Sequence, residues 1–181
     1  MRRASLTEFP TKRTLSFGSE HMFVFKTVVW GTIFSFLALI AGPWLALQFD
    51  ASFPLIDLGD IRYAGIALMA IGIPFSLYCA AILFLPGTNR PMPYDTGDDF
   101  VIEGPYRYVR NPFLLGIIIT LIGEMILMSR LAMCAYTFLL IWCLHFWVVF
   151  FEEPSLMERF EDEYKDYKNA VPRWLPKFKR Y

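Results

Sequence analysis

The chain has 181 residues, 56% of them hydrophobic, with 17 basic and 17 acidic side chains that cancel to a formal net charge of zero. An apolar fraction this high, gathered into long runs, points to an integral membrane protein, and the balanced charge offers no basic surface for nucleic acid. Cys79, Cys134 and Cys143 lie inside apolar runs without CxxC spacing, and His21 and His145 stand in unrelated regions, so neither a disulfide framework, a haem nor a metal site is expected.

In chain order, residues 1–23 form a polar tail rich in Ser and Thr, expected to be loosely ordered, and residues 24–181 form a single membrane domain. Four runs approach the ~20 apolar residues needed to cross a bilayer. They are 27–49, 61–85, 112–128 and 131–151. The first is too long, and starts too far into the chain, for a cleavable signal peptide. Residues 48–60 form a short acidic loop. The loop from Pro86 to Arg110 is rich in Pro, Gly and Asp and longer than a plain connector, which suggests a functional loop. Only Ser129 and Arg130 separate the last two spans, so a tight antiparallel hairpin is expected there. Glu124, inside the short third span, is expected to pair with Arg130 across that turn. His145 is expected to hydrogen-bond inside the bundle.

Charge orients the four spans. Five of the Lys and Arg residues precede the first span, three stand between the second and third, and seven follow the fourth. Only Arg62 and Arg130 fall on the opposite side, so both termini and the middle loop are expected in the cytosol. After the fourth span, Pro154 suits the first turn of a new helix. Leu156, Phe160, Tyr164 and Tyr167 share one face of it, while Glu158, Arg159, Glu161, Asp162, Lys165 and Asp166 lie opposite. The fold class is therefore all-α: four transmembrane helices plus a C-terminal cytosolic amphipathic helix over about 154–170, ended by Val171-Pro172 and anchored by Trp174.

Two polar stretches thus meet at one membrane boundary. "GPYRYVRNP" places Arg107 and Arg110 against the third span, and "FEEPSLMERFEDEYKDYKNAVPRWLP" follows the fourth. From the residues alone the arginines are either snorkelling cations or part of a pocket, and the glutamates either helix N-terminal charges or ligands. Together with Gly116, these motifs resemble the isoprenylcysteine carboxyl methyltransferase and phospholipid methyltransferase superfamily over roughly residues 60–176. The resemblance implies a small helical membrane bundle whose cytosolic end encloses S-adenosylmethionine and whose lipid-like or prenylated acceptor enters from the bilayer.

Residue by residue, the resemblance puts the Arg-His/Asn-Pro element on Arg110, Asn111 and Pro112 and the paired glutamates on Glu152 and Glu153. The Glu-x-x-Tyr-like tail falls on Glu163, Tyr164 and Tyr167, and the Val-Pro element on Val171 and Pro172. Asn111 matches the phospholipid and bacterial branches. Leu114 replaces an aromatic residue, and Ala170 stands where the eukaryotic prenylcysteine enzymes carry Arg. The implied cofactor set is Tyr106, Arg107, Tyr108, Arg110, Asn111, Pro112, Gly116, Glu152, Glu153, Tyr164 and Tyr167, and the implied catalytic residues are Glu163 and Arg173. In that set aromatic faces suit adenine or a cation, arginine suits a carboxylate, and glutamates suit a ribose or an ammonium. A carboxylate acceptor needs no base, whereas an amine loses a proton to Glu163 or Glu153. Two alternatives are an NADPH-dependent membrane reductase of the sterol-reductase type, disfavoured by the absence of a dinucleotide fingerprint, and a non-catalytic scaffold. Either a bacterial inner membrane or the endoplasmic reticulum suits the chain.

Overall fold

The computed structural model describes residues 29–49, 56, 58–84 and 102–177. The polar N-terminal tail and most of the middle loop lie outside the described residues. Among the described residues the architecture is helical: α1 (Val29–Gln48), α2 (Ala64–Phe84), α3 (Pro112–Met128), α4 (Leu131–Trp147) and α5 (Glu153–Ala170). A 3₁₀ turn, Gly59–Tyr63, leads into α2. Three helical stretches are long and apolar enough to cross a membrane, and α3, with 17 residues, is a shorter apolar helix. Their outer faces are apolar. Trp30, Trp44, Leu77, Leu139 and Trp142 are each at least 60% exposed, as expected of side chains that meet lipid instead of a core.

The expected hairpin forms. Ser129 takes the left-handed conformation (φ 52°), which closes α3, and Arg130 begins α4. The tail helix differs from expectation in one respect. No break occurs at Pro154; the helical stretch Leu131–Ala170 runs for 40 residues and is kinked further on, at Glu161 (φ 41°, ψ −113°). At ~1.5 Å per residue this is roughly twice the ~30 Å of a bilayer core, so its polar second half projects beyond the apolar stretch.

Proline explains how the helix continues. A π turn, Val148–Glu152, precedes Pro154, and an equivalent one, Leu37–Ala41, precedes Pro43. In both, proline follows the last π residue by two positions. The wider turn makes room for a ring that clashes with the preceding turn and donates no hydrogen bond. Gly42 N–H reaches back to the Leu37 carbonyl, and Pro43 has no N–H to offer the next one. Tyr136 of α4 supplies the missing donor: its hydroxyl donates to the Ala38 carbonyl at 2.8 Å. A proline-induced defect in α1 thereby becomes its attachment to α4.

α2 and α3 form the tightest seam, built from small residues. Gly65, Gly72 and Ser76 face Gly116, Thr120 and Gly123, and Ser76 Oγ donates to the Phe113 carbonyl at 3.1 Å. Backbones approach this closely only where side chains are minimal. Glu124 follows Ile117 and Leu121 on the buried face of α3. Among the described residues no ion pair joins it to Arg130, and it is buried in the bundle. The expected pairing fails because the helical repeat carries Glu124 into the bundle, on the same face as Ile117 and Leu121, while Arg130 sits at the start of the next helix.

Candidate functional site at the polar end of the bundle

Residues 102–112 reach the head of α3 through a compact turn. Gly104 (φ 54°) needs the left-handed region that glycine tolerates. The 3₁₀ turn Gly104–Arg107 follows, closed by Tyr108 N–H donating to the Pro105 carbonyl at 3.0 Å. The following strip is stitched to the chain beyond α5. Arg110 N–H donates to the Pro172 carbonyl at 2.9 Å, Lys177 N–H to the Tyr108 carbonyl at 3.0 Å, and the Tyr167 hydroxyl to the Tyr106 carbonyl at 2.7 Å. Trp174 adds a further tie, its indole N–H donating to His145 Nδ1 of α4 at 3.0 Å. The two motifs are thus brought together by main-chain and side-chain bonds.

At the junction sits Glu153, 4% exposed. Its Oε1 accepts from Arg110 at 2.8 Å and from Arg173 Nε at 2.6 Å, and its Oε2 accepts from Arg173 at 2.9 Å, with Lys168 Nζ at 3.4 Å. Arg173 therefore grips Glu153 through two parallel bonds, the strong bidentate form. Burial alone would push the Glu153 carboxyl up. The Arg173 hydrogen bond and the charges of Arg110, Arg173 and Lys168 outweigh it and hold the group below its ordinary range. The same hydrogen bond raises Arg173. Beneath the cluster lies Tyr164, 2% exposed, whose hydroxyl burial pushes up to about 12 and which also hydrogen-bonds Arg110.

Next to this paired carboxylate, Glu152 takes no part in the ion pairs. Burial, with the Glu153 charge added, pushes its carboxyl up to about 7. Adjacent glutamates are thus separated in role by environment: one is fixed as an anion, the other is poised to gain or lose a proton near neutrality. The amphipathic face of α5 supplies the floor, with Phe160, Tyr164, Tyr167 and Val171 buried together against Ile102, Leu156 and Met157.

The structure gathers Tyr106, Arg110, Tyr164, Tyr167, Glu153 and Arg173 at one place, with Asn111 and Pro112 buried beside them at the start of α3. Other candidates go elsewhere. Gly116 lies in the α2–α3 seam, where a Cβ would stand 3.0 Å from the Gly72 carbonyl. Glu163 is exposed on α5. Arg107 and Tyr108 line a separate cleft with Phe75, Tyr78 and Leu115. Lys168 was missing from the sequence-derived set, although its place one position after Tyr167, in the last turn of α5, was available as a signal.

Three cations around one carboxylate leave a surplus of positive charge, and the Arg110 Nε is buried without a hydrogen-bond acceptor among the described residues. The helical bundle is thus closed at its polar end by a buried cluster in which three cations share one carboxylate. The phospholipid methyltransferase family model matches residues 61–163, more than half of the chain, and the chain belongs to that family. It is accordingly an integral membrane protein of a methyltransferase family associated with lipid substrates. The matched span covers α2 to α4 and the first part of α5 but ends before Tyr164, Lys168 and Arg173. Comparisons with curated proteins and with solved structures yield no match.

Proposed function

We propose that the protein is an S-adenosylmethionine-dependent methyltransferase that acts on a lipid-like acceptor at the cytosolic face of a bacterial inner membrane or the endoplasmic reticulum, with four spans and both termini in the cytosol. The observation that carries this reading is the cationic nest: Arg110, Lys168 and Arg173 converge on Glu153, and the Arg110 Nε is left with no acceptor. A cofactor carboxylate fits that surplus charge and that donor. Glu153 is committed to its three cations, so a ribose hydroxyl or ammonium falls to Glu152. The buried tyrosines Tyr164 and Tyr167, with Tyr106, provide aromatic surface for adenine or a sulfonium.

When bound, S-adenosylmethionine supplies an activated methyl group for in-line displacement. The chain's own contribution is positioning and exclusion of water. Pro112 and Asn111 hold Arg110 at the head of α3, and the Tyr106–Arg110 strip is pinned from behind by Tyr167 and Pro172. A carboxylate acceptor needs no base. For an amine acceptor Glu152 is better matched than Glu153, which three cations hold deprotonated and weakly basic, or Glu163, which is exposed.

The test is calorimetry on detergent-purified protein with S-adenosylmethionine and NADPH side by side. Saturable binding of the first alone, lost in Arg110→Gln, is the expected result. Binding of NADPH alone would establish the reductase alternative, and binding of neither by folded protein would favour a scaffold.

Acidity gives a second readout. Both roles of Glu152 require its charged form, which is lost as pH falls through about 7. Cofactor affinity is expected to weaken by about tenfold between roughly pH 7.5 and pH 5.5, the scale of a charge-assisted hydrogen bond replaced by a neutral one. Glu152→Gln should bind weakly at both values. A wild-type profile flat across that window would remove Glu152 from the site.

A further inference from the structure

α5 carries a backbone outlier on which the Glu153 cluster depends. Glu161, an exposed residue inside the helical run, stands at φ 41° and ψ −113°. Those angles lie near the roughly (60°, −120°) of the first central residue of a type II′ turn, a place dominated by glycine. A residue with a Cβ is strained there, and strain of this kind gathers at clamps and switches. The other positive-φ positions among the described residues are the hairpin residue Ser129 and the glycines Gly59 and Gly104.

The kink folds α5 back on itself. Glu153 and Lys168 are fifteen positions apart in α5, which is about 22 Å along a straight helix. Fully extended Glu and Lys side chains together span only about 11 Å, yet Lys168 Nζ stands 3.4 Å from Glu153 Oε2. That contact requires the bend. Residues 153–160 and 162–170 are therefore two arms, and the second arm with the chain after it closes the site. Lys168 and Arg173 reach Glu153, the Tyr167 hydroxyl reaches the Tyr106 carbonyl, and the Pro172 carbonyl accepts from Arg110 N–H. Lys177 N–H bonds the Tyr108 carbonyl, and Trp174 fastens the segment to His145.

We propose that Glu161 is a strained hinge and residues 162–177 are a lid. With α5 bent, the lid closes over the 106–110 strip and completes the Glu153 cluster. When Glu161 relaxes to ordinary helical angles, α5 straightens, Lys168 and Arg173 leave Glu153, and the site opens. The strain belongs to the closed form, so the lid opens more readily than it would on a glycine hinge. Glu161 is thus a positioning residue that acts through Lys168 and Arg173. That the lid retains S-adenosylmethionine rests on the methyltransferase reading; the hinge itself does not.

The experiment is hydrogen–deuterium exchange of the detergent-purified full chain without cofactor, in wild type, Glu161→Gly, Glu161→Ala and Glu161→Val. At an ordinary helical position alanine is the tightest of these and glycine the loosest. The hinge predicts the reverse. Glu161→Gly should slow exchange of the Arg110 and Lys177 amides, whose bonds cross the lid boundary, by about tenfold, because glycine adopts the bend without strain. Glu161→Ala keeps the Cβ and should stay within about threefold of wild type. Glu161→Val should speed exchange about fivefold, since β-branched residues tolerate positive φ least. Exchange in α3 should be unchanged in all variants. If Glu161→Gly exchanges as fast as Glu161→Ala or faster, the hinge is overturned, and that pair decides even where the valine variant does not fold. Calorimetry with S-adenosylmethionine supplies the second arm: Glu161→Gly should bind at least as tightly as wild type, and Glu161→Val about fivefold more weakly. Equal affinities beside altered exchange would overturn the lid's role in retaining the cofactor. Failure of wild type to bind S-adenosylmethionine would overturn the methyltransferase reading and leave the hinge to be decided by exchange.

Discussion

Glu153→Ala is expected to lower the stability of the detergent-purified protein by about 3 kcal/mol and to abolish cofactor binding. Removing one partner of a buried ion pair leaves an uncompensated buried charge, at a cost of about 3–5 kcal/mol. Here the Arg110 side chain is 9% exposed and cannot reorient freely into water. The lower end of the range applies because Arg173 and Lys168 keep 23% and 40% of their side-chain surface exposed and can be solvated in place. The doubly substituted Arg110→Ala/Glu153→Ala protein should recover much of the stability, since the orphaned cation is gone, but none of the binding. Thermal unfolding and calorimetry on the same samples separate the two effects. If Glu153→Ala melted like wild type, the cluster would be a solvated surface network and the pocket assignment would fail with it.

The sequence made the site's ingredients legible but not its internal division of labour. Arg110 and Glu153 stand 43 positions apart, and the sequence-level reason to join them was that both motifs lie at one membrane boundary beside a two-residue hairpin. The ion pair shows that the two residues meet, at 2.8 Å. Nothing in "RYVR" distinguishes Arg107 from Arg110, however, because the distinction comes from the turn that starts at Gly104. That turn directs one guanidinium to the Ile102 carbonyl and the other to Glu153. Glu152 and Glu153 are equally indistinguishable in sequence. Their separation arises from where Arg110, Arg173 and Lys168 fall: Lys168 stands in the last turn of α5, and Arg173 arrives only when the chain beyond α5 folds back.

The helical pattern was more readable than its boundaries. Leu156, Phe160, Tyr164 and Tyr167 repeat at helical spacing, and the latter three are buried, with Leu156 packed against them. Pro154 does fall in the first turn of α5, as expected, but the π turn joins α4 to α5 without a break between them. Proline marks a local defect, and local information cannot say whether neighbouring residues absorb it or the chain turns. Gly116 shows the opposite case. Family resemblance assigns it to the cofactor, while its spacing with Thr120 and Gly123, matched by Gly65, Gly72 and Ser76 on α2, belongs to helix packing.

That packing carries the second large expected effect. Gly72→Leu should abolish recovery of monodisperse protein, because a Cβ at Gly72 would stand 2.7 Å from the Gly116 carbonyl and 2.8 Å from the Thr120 amide. Those contacts are backbone and cannot rotate away, so the two helices must separate. In a membrane, helix association depends on close packing instead of on burial from water, so separation removes the source of the stability. Overpacking a core costs about 1–3 kcal/mol where side chains can adjust, and more where they cannot. The site should feel the same displacement. Ser76 Oγ bonds the Phe113 carbonyl, so shifting α2 also disturbs the head of α3, where Asn111 and Pro112 set the position of Arg110. Gly72→Ala should therefore yield some folded protein with weakened cofactor binding. Leu77→Ala, on the lipid-facing surface of the same helix at 65% exposure, should leave both properties intact. Size-exclusion profiles and calorimetry of the three variants decide the matter, and a monodisperse Gly72→Leu protein with wild-type affinity would show that the α2–α3 seam does not hold the site in place.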